Sequence, residues 1–139
     1  MASSAVYDEL KTTLEAAFPA SPVIDYDQIE TALQQGTDAF FVLEETSGSE
    51  DQLAFGDETN ICQREEGVIV VWCFTPAPEG SNAARTIADS VRDVLRPYDS
   101  ATGLKVLRVE PPDIEMSNNG LWAAAISAIN YQYNFYYSR

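Results

Sequence analysis

The chain has 139 residues and a net charge of −14, with eight Lys plus Arg, 22 Asp plus Glu and no histidine. That length suits one domain able to bury a core without staples, and 45% hydrophobic residues exclude a disordered chain. So few cations argue against a grip on nucleic-acid phosphates, while the acidity itself reads as solubility, a salty habitat, or a surface that repels DNA or meets a basic partner.

The start, "MASSAVYDELKTTLEAAFP", has no basic segment leading into an apolar one, so no signal peptide is expected. No apolar run approaches the roughly 18–20 residues that span a bilayer. The expectation is a soluble protein made in the cytoplasm, without a membrane partner. From Ser4 to Phe18, Val6, Leu10, Leu14, Ala17 and Phe18 recur at helical spacing, with Asp8, Glu9, Lys11 and Glu15 largely on the other side. Pro19 and Pro22 stop this helix. "PVIDYD" reads as a short strand centred on Val23 and Ile24. "QIETALQQGT" is a loop with one helical turn at most, and "DAFFVLEET" is strand-like in its aromatic and β-branched content.

The next stretch, "TSGSEDQLAFGDETN", is polar, acidic and glycine-bearing. It reads as a short exposed strand or loop outside the core. "ICQREEGVIVVWCFT" resumes a strand in which Val68, Val70, Trp72 and Phe74 point one way and Ile69, Val71 and Cys73 the other. A strand apolar on both faces is central and covered on both sides. "PAPEGSN" breaks it, since proline cannot extend a central ladder and Gly80 frees the turn. The following helix turns Ala84, Ile87, Ala88, Val91, Val94 and Leu95 inward, and Pro97 ends it. The unit is strand, loop and packed helix. A phosphate loop would need glycines at fixed spacing and a Lys-Ser/Thr pair, which this stretch lacks.

The remainder, Gly103 to Tyr137, reads as one strand, a turn at "SNNG", and a long closing strand. Trp122, Ala124, Ile126 and Ala128 share one face of it. Tyr131, Tyr133, Phe135 and Tyr137 share the opposite face, which suggests a bulge or a strand leaving its own sheet. The fold class expected is α+β: a single domain over residues 1–139, with a mainly antiparallel sheet of about five strands and two packed helices.

Chemistry finds little purchase in this composition. Histidine, the commonest general base and metal ligand, is missing. The pairs Glu44/Glu45, Glu50/Asp51, Asp57/Glu58 and Glu65/Glu66 fall in segments that look exposed, where no burial would raise a pKa. Cys62 and Cys73 show no metal or redox spacing and read as reduced, buried small hydrophobes. The expectation is a protein with no catalytic, metal or cofactor site. Glu44, Glu45, Glu50, Asp51, Asp57 and Glu58 form a candidate acidic contact segment. Tyr131, Tyr133, Phe135 and Tyr137 form a candidate subunit interface, because aromatic side chains are favoured interface anchors.

The order of pieces carries a resemblance. Val70 to Phe74 with Pro76 and Gly80, the helix Asn82 to Leu95, and Gly120 to Tyr133 resemble the tail terminator proteins of long-tailed, lambda-like bacteriophages. The resemblance spans Ser4 to Tyr133 and is one of order and composition. The acidic segment from Glu44 to Glu58 departs from the usual pattern. The resemblance implies a structural virion protein at the head-proximal end of the tail, assembled in the host cytoplasm. Its subunits would form a sixfold ring that stops tail-tube polymerisation and offers a surface to the head-side connector or stopper. DNA would pass through the channel without specific binding. The concentration of like charge in the glycine-bearing acidic segment places that segment, on this reading, against the tube or the channel. Two other readings stand beside it: another connector or completion adaptor of the phage neck, and a small-molecule-binding α+β domain.

Overall fold

The computed structural model describes residues 4–29, 32–33, 38–55, 60–76, 81–96, 98–99, 103–116 and 122–138. Val6, Leu10 and Leu14 recur every four residues and are completely buried, so Ser4–Ala17 forms helix α1 with that stripe inward. The Phe18 amide still donates to the Leu14 carbonyl at 2.9 Å before the chain turns at Pro19. The Phe18 ring meets Phe41 edge-on, with centroids 5.3 Å apart, which ties the helix end to the sheet.

Strand β1 (Val23–Ile24) pairs in parallel with Phe41 and Val42 of β2 (Phe40–Phe55). A 3-10 turn at Tyr26–Gln28 leads to helical backbone at Ile29, Ala32 and Leu33. Then follow β3 (Asn60–Pro76), helix α2 (Ser81–Leu95), β4 (Leu104–Val109), β5 (Asp113–Met116) and β6 (Trp122–Ser138). The six strands lie in the order β1-β2-β3-β6-β4, and β5 pairs with β6 farther along the same edge. All pairings except β1–β2 are antiparallel. The α+β class is therefore the observed one, with six strands where about five were expected. The addition is β5. Pro111 and Pro112 interrupt the chain, so β4 pairs with Ile129–Tyr133 and β5 separately with Ala123–Ile126.

Both faces of the sheet carry a core. On one, Ile69, Val71 and Cys73 of β3 and Ala123, Ala125, Ile129 and Tyr131 of β6 meet the buried stripe of α2, Ala84, Ala88, Val91 and Leu95, together with that of α1. On the other, Phe40, Val42, Phe74, Trp122 and Ala124 cluster under Ile29, Ala32 and Leu33. Phe40 stacks on Phe74 at 4.9 Å and meets Trp122 edge-on at 5.3 Å, while the Trp122 Nε1–H donates to the Leu33 carbonyl at 2.8 Å. This second cluster is why β3 alternates between two apolar sets.

One local expectation is settled and one corrected. The acidic stretch after Thr46, open in sequence between a short exposed strand and a loop, is strand and longer than expected: β2 continues to Phe55 and β3 restarts at Asn60, paired throughout with bulges at Glu45/Ser47 and Gln52/Ala54. Ladder hydrogen bonds to β3 outweigh the poor strand preference of Gly, Ser and the acids. Strand β6 does not bulge against β3. Their register is continuous from Asn60↔Ser138 to Pro76↔Trp122. The dominant apolar side changes along the strand because the second core ends, leaving Asn130, Gln132 and Asn134 on that face. The bulge lies in β4, between Val106 and Arg108.

Candidate interaction surface

Strands β2, β3 and β6 outrun the core. On the helix side the last fully buried apolar residues are Leu43, Ile69 and Tyr131, and beyond them the three strands continue as an arm. On that side Glu65 faces Tyr133 across the strands, and Gln63 faces Phe135. Tyr133 and Phe135 stack with centroids 5.3 Å apart and rings 20° from parallel. Tyr133 packs against the edge of the main core, and Phe135 is half-buried. Tyr131 is a core residue whose hydroxyl donates to Glu65 Oε2 at 2.7 Å. Burial first, then that bond and the charges of Glu65 and Glu45, hold its hydroxyl well above the usual tyrosine range. Of the four aromatics expected at an interface, Tyr131 is therefore closed off inside its own chain. Tyr133 and Phe135 remain accessible on the arm, and the Tyr137 side chain lies outside the described residues.

The acidic residues divide in the same way. Glu44 is half-buried and accepts a hydrogen bond from Trp72 Nε1 at 2.9 Å. Glu45 sits on the helix side near Tyr7, whose hydroxyl is pushed up to about 12 by burial, by its 3.2 Å bond to Asp25, and by the charges of Asp25, Glu45 and Asp8. Glu50 and Asp51 stand at register positions opposite Glu65 and Arg64. Asp57 and Glu58 lie outside the described residues. The reading of Glu65 as an exposed carboxylate is corrected, since only 8% of it is accessible. Flanking aromatic side chains bury it, a context that a run of acids in sequence does not reveal. Glu66, its neighbour on the opposite face, is exposed, 4.0 Å from Arg64, which also donates through Nε to Asn134 Oδ1 at 3.0 Å.

Sequence reading missed two features. Gly48 pairs with Gly67, and the absence of both side chains opens a shallow hollow of about 380 Å³, lined also by Glu66, Val68, Leu107, Asn130 and Tyr131. Leu107, at its rim, is 51% accessible because the β4 bulge turns it out with Arg108. The glycines were visible in sequence, but their pairing depends on register.

Cys73 is buried, and desolvation pushes its thiol up to about 12, which favours the unreactive form. The Cys62 side chain lies outside the described residues. Among the described residues no cluster of three or more Cys, Asp or Glu side chains is placed to hold a metal ion, and no helix is long and apolar enough to cross a membrane.

These elements define an α+β domain with a two-sided core and a three-stranded acidic arm. No family model and no curated protein matches the chain. It is similar to a solved structure of a chain known by a sequence identifier alone, with a TM-score of 0.52 and 16% identity, covering 95% of this chain and 92% of that one. At that identity the likeness shows the fold alone.

Proposed function

We propose that the chain is a structural virion protein of a long-tailed bacteriophage, the tail terminator. Its copies form a ring on the end of the tail tube, stop tube polymerisation and present a surface to the head-side connector. The observation that carries this reading is the arm, which sets the stacked pair Tyr133 and Phe135 on strands that extend past the helices. A strand extension that offers a stacked aromatic pair suits a subunit whose work is contact with neighbours. The order of elements that carries the terminator resemblance fits the same assignment, and the scarcity of cations suits a channel that DNA must traverse without being held.

Negative-stain imaging of the purified protein, alone and mixed with polymerising tail-tube subunits, tests the proposal. Rings that cap tubes and fix their length are expected. Single compact particles in both samples would overturn it. Rings that ignore tube ends would move the assignment to a neighbouring adaptor of the phage neck.

A further inference from the structure

One line across the sheet lacks the contacts that stiffen the rest. Gly48, Gly67, Tyr131 and Val106 stand side by side on β2, β3, β6 and β4. Cross-strand side-chain pairs are the unit of sheet stabilisation, and two facing glycines supply none. Both outer strands also bulge next to this line, on its body side: β2 between Glu45 and Ser47, and β4 between Val106 and Arg108. A bulge interrupts the ladder and bends its strand. The hollow of about 380 Å³ opens at the same place, with Gly48 and Gly67 in its lining, so unfilled space lies beside the line. Of the four strands, only β6 crosses this level with neither a glycine nor a bulge.

One hydrogen bond ties the two sides of the line together. Tyr131, buried at the line, donates its hydroxyl to Glu65 Oε2 at 2.7 Å, and Glu65 lies on the arm, just past Gly67. We propose that the line is a hinge and the Tyr131–Glu65 bond its latch. The β2–β3 hairpin beyond Gly48 and Gly67 swings against the helix-covered body and carries the end of β6 with it. Strand β4 stays with the body, because Leu104, opposite Tyr133, is completely buried in the main core. Hinges are a few residues that absorb a change of backbone angle, and glycine does so at least steric cost. Phe135 pairs with Gln63 on the moving part, so the swing re-aims it and lets one surface meet partners at more than one angle. The hinge is a property of the single chain and does not depend on the ring reading.

Electron spin resonance distances on the full chain test this. Spin labels go on Asn82→Cys of α2 and Gln52→Cys of β2 in a Cys62→Ser background, since Cys73 is buried. Labelled protein is diluted into unlabelled chain so that only distances within one subunit are read. A main distance and a minor one, the released arm, are expected. Tyr131→Phe should raise the released population by about tenfold or more, the effect of losing a hydrogen bond to a charged acceptor. Gly48→Val, at an exposed position, should narrow the distribution to the main distance, because a β-branched residue restricts the backbone that the hinge must turn. General loss of folding cannot move the two variants in opposite directions. One narrow distance in wild type and Tyr131→Phe alike, or a distribution that Gly48→Val fails to narrow, overturns the hinge.

Discussion

The Tyr131 hydroxyl donates a 2.7 Å hydrogen bond to Glu65 across β6 and β3, and both residues are almost wholly buried, at 1% and 8% accessible. The pair marks the boundary between core and arm. Hydrogen bonds to a charged acceptor contribute about 1.5–3 kcal/mol, and a buried acceptor deprived of a donor keeps its desolvation cost. Tyr131→Phe should therefore lower urea stability by about that amount. A double-mutant cycle with Glu65→Gln should show coupling well outside the roughly 0.3–0.5 kcal/mol expected of independent sites. Additive effects would mean that the bond contributes nothing to the boundary.

Stability should fall as the solution becomes alkaline. Cys73 rises from 9.0 to about 12 and Tyr7 from 10.0 to about 12, and Tyr131 is raised as well. Each raised group loses its proton in the unfolded chain first, so between pH 9 and 12 the unfolded state binds fewer protons and is favoured. The contribution is complete below the unfolded values and is lost as pH climbs through the folded ones. Urea midpoints measured from pH 8 to 12 should decline, and Cys73→Ala should shallow the decline. Identical profiles for wild type and Cys73→Ala would show that the thiol is not protected by burial.

Gly103 adopts φ of 102°, and a Cβ there would collide with the Asn134 carbonyl oxygen. The Asn134 amide in turn donates to the Gly103 carbonyl at 3.1 Å, aligning the start of β4 on β6. Gly103→Ala should cost more than about 1 kcal/mol in thermal or urea unfolding, because both the backbone angle and the space forbid a side chain. A neutral substitution would mean that β4 can shift along β6 freely.

Phe135→Ala separates interface from core. Phe135 is half-buried on the arm, whereas Tyr133 also packs against the main core. Truncating Phe135 should change unfolding by less than about 1 kcal/mol yet weaken self-association by about 2 kcal/mol or more if it is an anchor. Unfolding measurements and sedimentation on the same variant decide this. A large loss of stability with unchanged association would make Phe135 a packing residue.

Much of the fold was legible because periodicity reports burial directly. The four-residue spacing of Val6, Leu10 and Leu14 predicts α1, the stripe from Ala84 to Leu95 predicts α2, and the double apolar alternation from Ile69 to Phe74 predicts a strand covered on both faces. Local chemistry sufficed for these, since each helix or strand presents its apolar residues to whatever lies beneath. The acidic hairpin was only half legible in this way, open between a short exposed strand and a loop. Its Gly, Ser and carboxylate residues favour a loop in isolation, and they become strand because β3 supplies the hydrogen-bonding partner.

The aromatic alternation of β6 was evident in the chain itself, but its meaning depended on neighbours far away in sequence. Register placed Tyr131 over Glu65 within the core and left Phe135 on the arm, although both share one face of one strand. Composition determined an acidic α+β domain poor in cations. Only the tertiary structure decided which acid was buried, which two glycines met, and that Leu107 of β4 lines the same hollow as Glu66 of the hairpin. Those outcomes arise from strand pairing between residues as far apart as Asn60 and Ser138, and pairing at that distance is selected by the burial of the whole sheet, which no local pattern contains.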